Sequence, residues 1–229
     1  ATIFDSEGND VGMFGGDAGI QTADVPALAS GKPNLGTGDF TGGGTGLIDG
    51  FPLGFMNASN GGHEGDSTLE FLHNTPAGIG HGAIIAAPPG LAWHIFWNIA
   101  GVQRAIAADY EQPKTAIVGG FDTSLFDGPL GWTQVAIVRT QVGPDPMYQW
   151  DWYFDGVQHP SQSATTTGEM PDGNGTFIIN GRGGFPWLGL MDEIRIVNKA
   201  LTPEEMNLIY VPPTPTAIRF EPTDGGAGG

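Results

Sequence analysis

Tyr148-Gln149-Trp150-Asp151-Trp152-Tyr153-Phe154-Asp155-Gly156-Val157-Gln158-His159 reads as a β-hairpin. Asp-Gly favours the primed two-residue turn, whose twist matches that of two antiparallel strands. In the strand before the turn, Trp150, Trp152 and Phe154 share one face, and Asp151, Tyr153 and Asp155 share the other, because strand side chains alternate. One apolar face is therefore expected on a core and the other toward water.

Outward from this hairpin the chain keeps the same texture. Short apolar segments occupy Thr68–Leu72, Ala83–Ala87, Ala92–Ile99, Arg104–Tyr110, Thr115–Val118, Trp132–Arg139, Thr176–Asn180 and Leu190–Val197, with brief Gly/Pro/Asp connections between them. That pattern predicts a two-sheet β-sandwich. Residues 1–66 form a Gly-rich segment holding 17 of the 39 glycines, with strand-length scraps at Ala1–Phe4, Val11–Phe14 and Leu47–Phe55 and a Gly-rich loop over Thr37–Gly46. Residues 67–210 hold the main run of strands. Residues 211–229 comprise the spacer Pro212-Pro213-Thr214-Pro215, an alternating stretch Thr216–Glu221 and a Gly-rich tail. One short helix is expected near residues 203–210. Thr202 fits its N-cap, Pro203 its first turn and Glu205 the reciprocal capping partner, and Pro212-Pro213 stops it.

Composition narrows the function. Twenty-five acids against 8 bases give a formal charge of −17, which repels phosphate backbones and anionic lipid and argues against nucleic-acid binding. No apolar run approaches the roughly 18–20 residues of a membrane span. With zero cysteines there is no disulfide staple and no thiolate metal site. The chain opens on Ala1 without a signal-peptide pattern, which reads as a processed or trimmed terminus. Extracellular animal domains of this size usually carry disulfides, so the expected setting is extracellular and microbial, secreted or on the cell surface.

Four elements, in order, carry a family resemblance: Gly131-Trp132-Thr133-Gln134-Val135-Ala136-Ile137-Val138-Arg139; Trp152-Tyr153-Phe154-Asp155-Gly156; Phe185 through Gly189 with Met191-Asp192-Glu193-Ile194-Arg195-Ile196-Val197; and Leu201-Thr202-Pro203-Glu204-Glu205-Met206. Together they resemble the laminin G-like, concanavalin A-like jelly rolls of the lectin and glucanase superfamily. The resemblance implies an all-β fold of two antiparallel sheets. It does not imply one function, because the fold hosts lectins, adhesins, glycosidases and structural domains.

Three readings follow. A glycosidase needs two carboxylates about 5–9.5 Å apart on one face. Asp192 and Glu193 are adjacent, and Asp151 and Asp155 are roughly 13 Å apart along a strand, so no enzyme is expected. A lectin-like or adhesion module binding glycans with calcium is the second reading. Members of the family often hold Ca²⁺ at the rim, and Asp5, Glu7 and Asp192 are the candidate ligands. Asp5–Asp10 begins like an EF-hand loop but has Asp10 where Gly belongs and Gly16 where the bidentate Glu belongs; it also reads as a polar turn. Trp93, Trp97, Trp132, Trp150, Trp152 and Trp187 could offer a stacking platform, although tryptophans in a β-sandwich are more often core and rim packing. The third reading, preferred on sequence, is an extracellular subunit that polymerises with copies of itself by strand exchange. Its donor is either Ile218 and Phe220 in the tail or Ile3 and Phe4 at the start. For a glycoprotein, the expected attachment points are the sequons at Asn57 and Asn174 and the spacer threonines Thr214 and Thr216.

Overall fold

The computed structural model describes residues 2–4, 10–23, 37–52, 65–74, 82–87, 93–97, 131–143, 147–159, 164–167, 174–180 and 188–206. In chain order the first strands are β1 (Thr2–Phe4), β2 (Asp10–Gly15), β3 (Gly19–Gln21), β4 (Thr37–Asp39), β5 (Thr45–Pro52), β6 (Ser67–Asn74) and β7 (Gly82–Ala87). They are followed by β8 (Trp93–Trp97), β9 (Thr133–Gln141), β10 (Met147–Phe154), β11 (Val157–Gln158), β12 (Ala164–Thr167), β13 (Asn174–Ile179) and β14 (Leu190–Val197). Among the described residues these make two antiparallel sheets. One has the order β1-β2-β5-β13-β7-β8, and the other β11-β10-β9-β6-β14-β4-β3, with β12 also paired to β10. The expected jelly-roll sandwich is thus present. The segments at 104–110 and 115–118 lie outside the described residues. Within the Gly-rich 37–46 stretch, expected as loop, Thr37–Asp39 instead pairs with β14 and β3. There the Thr37 hydroxyl donates to the Met191 carbonyl at 2.7 Å.

The hairpin behaves as its residues dictate. Tyr148, Trp150, Trp152 and Phe154 are buried, and Trp152 stacks on Phe154 with centroids 6.4 Å apart. Asp155 and Gly156 take φ of 48° and 78°, the left-handed pair that a primed turn requires. The Asp155 carboxylate accepts the Gln134 N–H at 2.9 Å, tying the turn to β9.

The strands β6 and β9 lie at the sheet centre and are covered on both faces. The tryptophan-bearing face of β10 is buried, with Val135 and Ile137 of β9 on the same side. On the opposite face Ala136, Val138 and Tyr153 are covered by Ala200, Leu201 and Met206. Tyr153, expected toward water, is therefore only 8% exposed.

Thr68 fastens this cover. Its hydroxyl donates to the Lys199 carbonyl at 2.8 Å and accepts the Leu201 N–H at 3.0 Å. Thr68→Val keeps the shape of a side chain that is 0% exposed but leaves two backbone groups without their partner. The expected cost is about 1–3 kcal/mol, read as a lower urea midpoint at unchanged slope. A midpoint equal to that of the wild type would refute the latch.

The helix expected over 203–210 does not form where the structure describes it. Residues 203–206 make a turn, and 207–210 lie outside the described residues. The capping chemistry is nonetheless in place. The Thr202 N–H donates to Glu205 Oε2 at 3.1 Å, and the Thr202 carbonyl accepts the Glu205 and Met206 N–H groups, both at 2.9 Å. Such a box closes a single turn as readily as it starts a helix, and the buried Met206 pins that turn to the sheet. Among the described residues no helix is long and apolar enough to cross a membrane.

Candidate functional site

The outer face of β10 carries a polar row at the sheet edge. Gln149 and Asp151 alternate with the buried aromatics and are half-buried. Gln149 Nε2 reaches both Asp151 carboxylate oxygens, at 3.0 and 2.9 Å. Gln158 stands opposite Tyr153 in the hairpin register, and its Nε2 donates to Asp151 Oδ1 at 3.1 Å. One carboxylate is thereby held between two amides. The edge partner also changes here: β12 pairs with residues 147–150 and β11 with residues 153–154, leaving Asp151 at the junction. Val157, paired with Phe154, is 70% exposed and projects from the opposite face of the hairpin. Tyr153 borders the row, and its phenol is pushed up by burial and then by the charges of Asp151 and Glu204.

A second polar group lies on the same face, toward β14. Glu70, fully buried, forms an ion pair with Arg195 and accepts a long hydrogen bond from Gln134 Nε2 at 3.4 Å. Burial pushes the Glu70 carboxyl up, and the guanidinium beside it offsets part of that rise. The ladder to β6 slips between Asp192 and Arg195, and Glu193 occupies the bulge with φ 48°. Asp192 Oδ1 accepts the Glu193 N–H at 2.8 Å. Partial burial and the adjacent Asp192 charge hold the Glu193 carboxyl above its ordinary range.

Residues 65–207 match the family model described as the concanavalin A-like lectin/glucanases superfamily. The chain belongs to this superfamily. No curated protein matches the sequence significantly. Among solved structures, the chain is similar to domain 4 of AbnA, an extracellular arabinanase of Geobacillus stearothermophilus, in complex with arabinotriose. That likeness has 18% identity and a TM-score of 0.55 over 87% of this chain and 88% of that one. It is also similar to the receptor-binding domain of the botulinum neurotoxin C/D mosaic serotype, at 14% identity and TM-score 0.60 over 89% and 47% of the two chains. A third is the botulinum neurotoxin DC binding domain in complex with SialylT, at 12% identity and TM-score 0.51 over 90% and 47%. The chain spans about half the length of the toxin domains.

Within the superfamily frame, the residues singled out from sequence fall in different places. Asp5 and Glu7 lie outside the described residues, between β1 and β2, which pair as a hairpin. Asp192 is at the bulge, with an oxygen engaged by the Glu193 amide. Among the described residues no three acidic or histidine side chains gather as a cation site, whereas Ca²⁺ takes six to eight oxygens.

Trp132, Trp150 and Trp152 are buried packing residues rather than a platform. Trp93 and Trp97 lie on β8, and Trp187 lies outside the described residues. Asn174, expected on a loop, opens β13 opposite Pro52. Asn57, Thr214, Thr216, Ile218 and Phe220 lie outside the described residues, and Ile3 and Phe4 sit in β1, paired to β2 of the same chain. The sequence reading passed over Gln149 and Gln158. Both were accessible to it: Gln149 shares the parity of Asp151, and the Asp-Gly turn sets Gln158 opposite Tyr153.

Proposed function

We propose that this chain is a secreted microbial carbohydrate-binding module without catalytic activity. The observation that carries this reading is the way its described carboxylates are engaged. Glu70 is paired with Arg195, Asp155 holds the Gln134 N–H, Asp66 holds the Gln141 N–H, and Glu205 holds Lys199 and the Thr202 N–H. These groups serve the fold. Asp151 instead stands half-buried at an edge with two amides around it, an arrangement suited to binding hydroxyl groups. Support comes from domain 4 of the arabinanase, which is in complex with arabinotriose, and from a toxin binding domain in complex with SialylT.

The self-assembling reading has less behind it. Its tail donor lies outside the described residues, and its alternative donor, β1, is already seated in its own sheet. The test is affinity electrophoresis of the full chain in gels containing arabinan, xylan, glucan or galactan, with reducing-sugar release assayed in parallel and size followed by light scattering. Retardation by at least one polysaccharide, no sugar release and a concentration-independent mass are expected. Mobility unchanged in every gel would overturn the binding function, and release of reducing ends would overturn the absence of catalysis. Growth into polymers would restore the assembly reading.

A further inference from the structure

We infer that the outer face of the six-stranded sheet is a pairing surface for a second copy of this chain, an inference that stands apart from the carbohydrate-binding reading. The register builds one row straight across that sheet. Thr2 is opposite Met13, Met13 opposite Leu47, Leu47 opposite Ile178, Ile178 opposite Ala86, and Ala86 opposite His94. Directly opposed residues share a face. Met13 is 68% exposed and Leu47 39%, with Ile178 half-buried, whereas Ile179, the next residue along β13, is 4% exposed. The row therefore lies on the side turned away from the core.

Charge sets this face apart. The row holds no acid, lysine or arginine. The charged residues of the six strands are Asp10, which opens β2, and Asp49, where the β5–β13 ladder slips. The other sheet carries Glu70, Asp151, Asp192, Glu193 and Arg195, and Ala200, Leu201 and Met206 cover part of its outer side. In a chain of net charge −17, contacts between copies generally set carboxylate against carboxylate, and this face brings two copies together without that repulsion. Met13, Leu47 and Ile178 offer no hydrogen-bond donor to a sugar. A contiguous exposed apolar row suits another apolar protein surface.

The row is also complementary to itself. A two-fold axis between β5 and β13, parallel to the strands, sets Leu47 against Ile178 of the partner subunit and Met13 against Ala86 of the partner subunit. Each contact occurs twice, as isologous pairing requires. The long methionine meets an alanine, so the protruding end of one row fills the shallow end of the other. Stacked sheets pack about 10 Å apart with their strands within about 30° of each other. Six strands spaced about 4.8 Å and roughly 20 Å long give about 500 Å² of face. Two such faces give about 1,000 Å², the floor for a specific interface. A pair of this kind closes on itself, so its mass holds at twice the chain and does not grow. Both eight-stranded sheets then face outward, and a polymeric ligand meets two of them on one body.

The experiment is sedimentation equilibrium of the full chain from micromolar to near-millimolar concentration. A mass of twice the chain is expected, with association tighter in added salt, because salt screens the repulsion between two anionic copies. Met13→Glu/Leu47→Glu puts carboxylates at positions that already meet water, and should weaken self-association at least a hundredfold at an unchanged circular dichroism spectrum. The chain has no cysteine, so introduced thiols report the geometry. In Met13→Cys/Ala86→Cys the two thiols of one copy lie three strands apart, about 14 Å, while the axis brings each beside its counterpart in the other copy. A short bismaleimide should therefore join two chains in that variant, and should not do so in Met13→Cys alone. A single-chain mass at every concentration would overturn the pairing. A dimer that persists in Met13→Glu/Leu47→Glu would overturn this face, and a missing crosslink in Met13→Cys/Ala86→Cys would overturn the axis. Masses beyond two chains would overturn the closed pair.

Discussion

Gly65→Ala is expected to destabilise the protein by about 3–5 kcal/mol, in the range reserved for buried structural faults. Gly65 has φ +82°, where an ordinary residue costs roughly 1–2 kcal/mol. A methyl group there would lie 2.5 Å from the Tyr148 hydroxyl and 2.8 Å from its ring carbons. Tyr148 cannot step aside, because it is 1% exposed and holds the Arg139 guanidinium 3.4 Å above its ring centroid. Arg139 in turn is fully buried and donates from Nη1 to the Gly65 carbonyl at 2.6 Å. Glycine, tyrosine and arginine thus form one closed unit. Arg139→Met should cost about as much, through the lost cation–π contact and a stranded carbonyl. Because the two changes break the same unit, the double variant should fall well short of the sum. For a chain of this length the single changes should lower the melting temperature by roughly 10 °C. A change within about 2 °C would show that the ring moves freely and the unit is not one.

Acidification should weaken the protein through His73. Burial in the sandwich core lowers its pKa from 6.5 to about 3. Its side chain is 1% exposed and lies 6.1 Å from the Phe71 ring. The unfolded chain takes up a proton at this position below its ordinary value, and the folded chain resists doing so until about 3. Stability is therefore complete above 6.5 and is lost as pH falls toward 3, at about 1.4 kcal/mol per pH unit. Glu70 works in the opposite sense: raised by burial, its carboxyl binds a proton more readily when folded, so its contribution falls as pH rises through that range. The contrast between chains isolates the histidine. His73→Leu should start from a different baseline but lose roughly 2.3 kcal/mol less than wild type between about pH 6.5 and about pH 4.5. Parallel urea-denaturation curves for the two proteins across that range would show that His73 does not drive the loss.

Local chemistry made much of this fold legible in the sequence. Period-two alternation sent Trp150, Trp152 and Phe154 inward, and Asp155-Gly156 set the turn, since both effects act within a few residues. The laminin G-like elements placed β9, β10 and β14 correctly. What escaped depended on residues distant in the chain. Nothing near Glu70 announces that it is buried, because Arg195, which makes burial tolerable, is 125 residues away. Tyr153 left the water-facing side only because Leu201 and Met206 cover it. The turn at 203–206 satisfies every local rule for a helix start, so only the length of the following segment could separate the two outcomes. In the candidate site, Asp151 was noticed as an acid too far from Asp155 for catalysis. Its role as the centre of an amide pair emerges once Gln158 is brought round by the turn.

The crossing of early and late strands has a kinetic consequence. β4 is bonded to β14, with Thr37 reaching Met191 across 154 residues of chain, and β5 is bonded to β13. Closing so long a loop must precede the contacts that reward it, and chains dominated by distant pairings fold in milliseconds to seconds rather than microseconds. A ribosome adding about 5–20 residues per second would release the first strands many seconds before their partners exist. During that interval β4 and β5 have unsatisfied edges. The scarcity of large apolar side chains in the glycine-rich early segment, and the acid excess of the whole chain, would keep such a half-made sheet from joining its neighbours while it waits.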